Sequence, residues 1–242
     1  MHIRAFVRKK EVNQMDALVE NLLEELNCET VFTIPIFGGI PVSEAVVVSW
    51  IIMGVIILPC IIFVRNLKVE NPGRGQLLLE TGVSWLYDFF EDTIGENGKA
   101  YIPYLMSVII YIGFANLIGI FGFKPPTKDI NVTAALAIMS IVLIEVAGFR
   151  KKGGKGWLKS FAEPMPVVLP INILELFIKP LSLCMRLFGN VLGAFVIMEL
   201  LKMVVPMAVP AVFSCYFDIF DGLIQAYVFV FLTSLFIKEA TE

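Results

Sequence analysis

From Val167 to Val205 the chain is apolar over about 39 residues, which as α-helix would run ~58 Å at ~1.5 Å per residue. An upright crossing of a bilayer core ~30 Å thick needs only ~20 residues. No turn signal divides the run: Pro180 can kink a helix, and Gly189 and Gly193 stand alone. The stretch is therefore either a hairpin with its turn near Pro180 or one long, steeply tilted helix. It carries a second constraint. Arg186 is the only charge between Lys179 and Glu199, and a guanidinium stays protonated at any accessible pH. At the middle of a bilayer it costs at least ~2.5–3.5 kcal/mol. A side chain held there needs a partner, a water-filled cavity or a passing ion, which points to charge moving across a membrane.

Composition agrees. Of 242 residues, 57% are hydrophobic and 17% charged, whereas soluble domains are ~45–50% apolar even with Gly counted. The net charge of −3 gives no reason to expect nucleic acid as a partner. Cys28, Cys60, Cys184 and Cys215 are far apart and form no CxxC pair, so they read as small buried apolar residues. There is no phosphate-cradling glycine-rich loop and no HExxH helix, and His2 is the one histidine. No cofactor or metal is expected, and a self-contained hydrolase is hard to build from this inventory. Met1 to Glu29 is charged and lacks the apolar stretch of a secretory leader.

These features predict an all-α, polytopic membrane protein. A polar segment, 1–44, precedes a single membrane domain, 45–242, with about five crossings. The expected spans are about 45–64, 103–123, 130–149, 167–205 and 211–238. Glu11–Leu26 reads as a short amphipathic helix, and Val31–Val42 as an irregular lead-in. Gly75–Ile94, with Glu80, Asp88, Glu91 and Asp92, reads as an amphipathic helix lying in the interface. Asp129 is placed to cap the third span. The loop Arg150–Ser160 holds five cations and no acid, so it is expected on the cytoplasmic side. Arg65 to Arg74 then falls inside as well. The N-terminus falls outside, against a mild counterweight from Arg4, Arg8, Lys9 and Lys10, and the C-terminus is cytoplasmic. Pro206–Pro210 is a turn, after which Ala211–Lys238 forms the last helix. With no turn inside 167–205, two long helices leaning together are the favoured arrangement.

Helical spacing sorts the polar residues of these two helices. Asn190 lies one turn beyond Arg186, and Glu175, eleven residues before it, is only ~20° away around the axis. Ser182 and Gly193 share that line, giving a small, polar stripe around one cation. Glu199 is turned ~140° from Arg186 and faces another neighbour, or pairs with Lys202. On the last helix Asp218, Asp221 and Gln225 are expected on one face, with Gly222 as a point of close approach. Asp218 and Asp221, near the outer end, are candidates to pass ions inward, or are simply solvated at a helix end.

Two elements carry a family resemblance. KPLSLCMRLFGN (Lys179–Asn190) and IQAYVFVFLTSLFI (Ile224–Ile237) together resemble the signature of subunit a of the F-type ATP synthases. PTKDINVT (Pro126–Thr133) and NPGRG with its following helix also fit, so the resemblance covers roughly residues 45–240. It implies that Arg186 is the essential arginine facing a ring of c subunits, with Asn190 one turn on and Gln225 packing opposite it. Glu175 matches a glutamate on the cytoplasmic approach, and Asp218 stands where some members carry histidine in the outer half-channel. The chain departs at Phe195, where many members have a glutamate; Glu199, one turn further, is the candidate to take that duty. The implied partners are the c-ring, the b subunits of the peripheral stalk, the lipid bilayer and, indirectly, the F1 sector. The implied site is the cell inner (plasma) membrane.

The resemblance also implies a mechanism. Each ring helix carries a carboxylate that crosses lipid only when neutralised by H⁺ or Na⁺. Beside Arg186 its ionised form is favoured, so the ion leaves through an inner half-channel and another loads from an outer one. ATP chemistry falls to other subunits. Two rivals stand beside this: a secondary transporter with an anionic substrate at Arg186, and a scaffold in which the arginine is structural. Internal repeats, common in transporters, are not visible here.

Overall fold

The computed structural model describes residues 30–35, 40–64, 73–121, 123–161, 166–204, 213 and 216–241. The helix expected at Glu11–Leu26, the cations Arg65 and Lys68, and the turn Pro206–Pro210 lie outside the described residues, as do the side chains of Glu199, Lys202 and Asp218. Six α-helices are described: α1 (Glu44–Val64), α2 (Arg74–Ile94), α3 (Ile102–Leu117), α4 (Ile130–Ser160), α5 (Leu169–Val204) and α6 (Gly222–Thr241). Five stretches are long and apolar enough to cross a membrane: Glu44–Ile62, Glu96–Phe121, Ile130–Ser160, Leu169–Met198 and Ile219–Thr241. The chain is an all-α, multi-pass membrane protein. The α2 helix is not among those five; it buries Phe90 and Ile94 while Leu78 and Trp85 stay exposed.

Four differences from the sequence reading have physical causes. Val31–Val42 is not wholly irregular: β1 (Thr30–Ile34) and β2 (Ile40–Ser43) pair antiparallel, as the β-branched and aromatic residues of TVFTI favour. The basic stretch after Phe149 is not a loop. Helical hydrogen bonding continues to Ser160 around a corner at Gly153, whose φ of 71° and ψ of 163° almost only glycine adopts. Within the run 167–205, Leu169–Val204 is one helix of 36 residues with Pro180 inside, which removes the hairpin alternative. The last helix changes pitch: Tyr216–Asp221 is a π-helix that hands over to α6 at Gly222. A π segment bonds i→i+5, so steps of 100° do not carry from Asp218 to Gln225, and the shared face expected for Asp218, Asp221 and Gln225 loses its basis.

The α6 helix runs against α3 and α4, and α5 lies along α4. Their common core holds Leu105 and Ile112 of α3, Ala137 and Ile144 of α4, Leu183 and Leu187 of α5, and Phe229 and Ile237 of α6. Asp129 caps α4 as expected, accepting from the Asn131 backbone N–H at 2.9 Å. Its second oxygen accepts from the Ser43 hydroxyl at 3.2 Å, which ties the hairpin to α4. A buried polar knot fixes the start of α6. Asn116 Nδ2 donates to the Gly222 carbonyl at 2.9 Å, and the Thr127 hydroxyl donates to Asn116 Oδ1 at 2.8 Å. Gly222 is required there: a Cβ would stand 2.9 Å from that of Asn116.

Candidate functional site

The α5 helix has two unlike faces. Leu183, Cys184 and Leu187 are buried, with Cys184 Sγ 3.6 Å from the Thr133 hydroxyl of α4. On the adjoining side Glu175, Ser182, Arg186 and Asn190 are all exposed, flanked by Phe177, Leu181 and Met185. The polar stripe expected from helical spacing is therefore present; its middle, at Ser182 and Arg186, is left uncovered, while Asn190 and Glu175 at its two ends meet other groups of the chain. Packing explains the split, because Leu183, Cys184 and Leu187 are taken into the common core and leave the arginine outside it.

Among the described residues no ion pair or hydrogen bond reaches the Arg186 guanidinium. The chain thus offers a permanent cation, inside a span, on a surface it does not itself cover. Such a charge is tolerated in a membrane when it meets water or an acid, and the described part of this polypeptide supplies no acid.

One turn on, the stripe meets α6. Asn190 Nδ2 donates to Gln225 Oε1 at 2.5 Å, so the two residues expected near the arginine are brought together. Gln225 is only 3% exposed, and its Nε2 is a buried donor with no partner among the described residues. Asp221 lies half-buried in the π segment. At Phe195, where the chain departs from the glutamate of the family it resembles, the Lys128 ammonium lies over the ring, 3.7 Å from its centroid.

At the other end of the stripe Glu175 is not alone. Lys179, one turn on, approaches it at 4.0 Å and pairs with Glu239 of α6 at 3.2 Å, lying also 4.9 Å over the Phe236 ring. Sequence reasoning passed over this group. The Glu175–Lys179 spacing was legible as a helical i,i+4 pair; the Glu239 contact, 60 residues away, had no local signal.

Comparison with known proteins adds the context. The family model described as ATP synthase A chain matches residues 46–238. The chain is 37% identical over 204 residues to ATP synthase subunit a of Moorella thermoacetica, covering 84% of this chain and 92% of that one. It is 33% identical over 216 residues to a protein of Propionigenium modestum named ATP synthase subunit a, sodium ion specific, covering 83% of this chain and 74% of that one. Identity to ATP synthase subunit a 2 of Acaryochloris marina is 31% over 208 residues, covering 85% of this chain and 88% of that one.

Proposed function

Since this chain belongs to the ATP synthase A chain family, and so is a membrane subunit of an ATP synthase complex, we propose that it is the stator half of that complex's ion channel. In this reading it has no ATP chemistry of its own. It packs beside a ring of c subunits in the cell's inner (plasma) membrane, is held by the b subunits, and serves the F1 sector at a distance. The basic corner around Gly153 faces the cytoplasm, with the N-terminus outside and the C-terminus within. Residues 45–242 act as one membrane unit.

The observation that carries the proposal is Arg186: exposed on α5, inside a span, with no acid of the described chain beside it. The missing acid is the ring's. A ring carboxylate travels through lipid neutralised by its cation, H⁺ or Na⁺. When it comes level with Arg186 its ionised form is favoured and the cation leaves. The same positive charge repels a free cation, so ions do not pass straight from one side to the other. Glu175 lies on the inner approach. Asp218, Asp221 and Glu199 serve the outer approach, with Glu199 standing in at the turn after Phe195. Asn190 and Gln225 hold the two helices together beside the arginine. One charge crossing ~100 mV releases ~2.3 kcal/mol, which offset entry and exit paths convert into rotation. A secondary transporter is not the fit for this family. The test is Arg186→Ala in assembled complexes: ion-driven ATP synthesis is lost, and near wild-type synthesis would refute the role.

A further inference from the structure

Behind the stripe, at the end of the bundle that holds the basic corner, lies a cavity of about 330 Å³. One water needs only ~10–15 Å³ of such probe space, so the cavity has room for a connected group of waters. Three helices wall it, and each contributes a carboxylate: Glu145 from α4, Glu175 from α5 and Glu239 from α6. Lys179 stands among them, with Lys152 of the basic corner also in the wall.

The geometry gives these groups different parts. Glu175 is the link, since it lies both on the Arg186 stripe and in the cavity wall. The Lys179 ammonium holds Glu239 at 3.2 Å and Glu175 at 4.0 Å, so one fixed positive charge is shared by two acids on different helices. That contact holds the two carboxylates, from α5 and α6, at one place in the cavity wall. Glu145 accepts from Trp157 Nε1 at 2.9 Å through one oxygen, and its other oxygen has no partner among the described residues. Trp157 lies in α4 beyond the corner at Gly153 and meets Glu145 and Gly148 of the part before it.

We infer that this cavity is the last stage of the inner path, and that Glu239 and Glu145 are further ion-relaying carboxylates of the subunit. The inference rests on the stator-channel reading. A cation released opposite Arg186 reaches Glu175, passes through cavity water to Glu239 or Glu145, and leaves to the cytoplasm. For H⁺, each step moves one proton between oxygens and returns the donor to its carboxylate form. For Na⁺, each acid in turn pairs with the hydrated ion.

The test uses assembled complexes in inverted membrane vesicles, stripped of the F1 sector, with passive ion conduction measured with and without added sodium. E239Q is expected to lower conduction roughly threefold and E239Q with E145Q roughly tenfold, as for loss of relay acids in parallel. E239D restores it, and E145Q, which leaves the Lys179–Glu239 pair intact, lowers conduction by itself, as a purely structural role of that pair does not require. In a background lacking the native cysteines, E239C and E145C are expected to react with a membrane-impermeant thiol reagent added from the cytoplasmic face, and conduction then falls. Wild-type conduction in the double variant, or no reaction of either cysteine, overturns the inference. Arg186→Ala run in parallel separates the failures: if it still uncouples while the double variant conducts normally, only the exit path is wrong. Should the double variant fail to assemble, the two cysteine variants decide alone.

Discussion

Replacing Asn116 with Ala tests how α6 is set in place. Asn116 is 4% exposed and Thr127 0%, and their knot with Gly222 contains two hydrogen bonds of 2.9 and 2.8 Å. In a soluble protein each buried group left unpaired costs ~1–3 kcal/mol. Within membrane bundles interhelical bonds average only ~0.6 kcal/mol, with a maximum near ~1.7, because the separated helices also find partners. The Thr127 hydroxyl, once released, can turn to a backbone carbonyl as Thr233 does to Phe229. The smaller figure therefore governs, and two bonds give about 1–3 kcal/mol. For a chain of this size that is a fall of about 2–12 °C in the unfolding midpoint, measured on the complex in detergent. Asn116→Asp keeps the acceptor for Thr127 but sets a carboxylate against a carbonyl, so it is expected to cost more than Ala at neutral pH. Unchanged midpoints in both variants would refute the claim that this knot fixes the handover from π-helix to α6.

Three further outcomes are expected. Gly153→Val puts a β-branched residue at a positive φ where an added Cβ meets nothing within 4 Å, so the cost is backbone strain of about 1–3 kcal/mol, seen as a lower unfolding midpoint. Gly82→Ala, in an open position of α2, is expected to stabilise by about 0.5–1 kcal/mol in the same assay. Gln225→Leu removes both the Asn190 bond and the unpaired buried Nε2, so stability changes by less than about 1 kcal/mol. Ion flux in reconstituted complexes nevertheless falls about tenfold or more, the scale of a misplaced site.

What the sequence made legible was local. Apolar runs of ~20 residues marked the crossings, the charge pattern of residues 75–94 marked α2, and Asp129 before an apolar run marked a cap that the structure contains. Spacing along one helix put Glu175, Ser182, Arg186 and Asn190 on a common face because α5 keeps one pitch throughout. The same arithmetic failed before Gln225, where Tyr216–Asp221 winds as a π-helix without a distinctive pattern of residues. Gly153 sits among lysines that suited both a loop and a helix, and only its φ shows that it is a corner between helical turns. The Asn116–Gly222 and Lys179–Glu239 contacts join residues 106 and 60 positions apart, and such pairs are set by how helices pack rather than by any local signal.

The most direct measurement compares Arg186→Ala and Arg186→Lys with wild type, reading ion-driven ATP synthesis and passive ion leak in vesicles whose complexes retain the c-ring. The account predicts that Ala abolishes synthesis and that ions leak, because nothing then discharges the ring acids or bars a free cation. Lys keeps the charge and is expected to limit the leak. Synthesis near the wild-type rate with Ala at position 186, with the ring present and no leak, would contradict it.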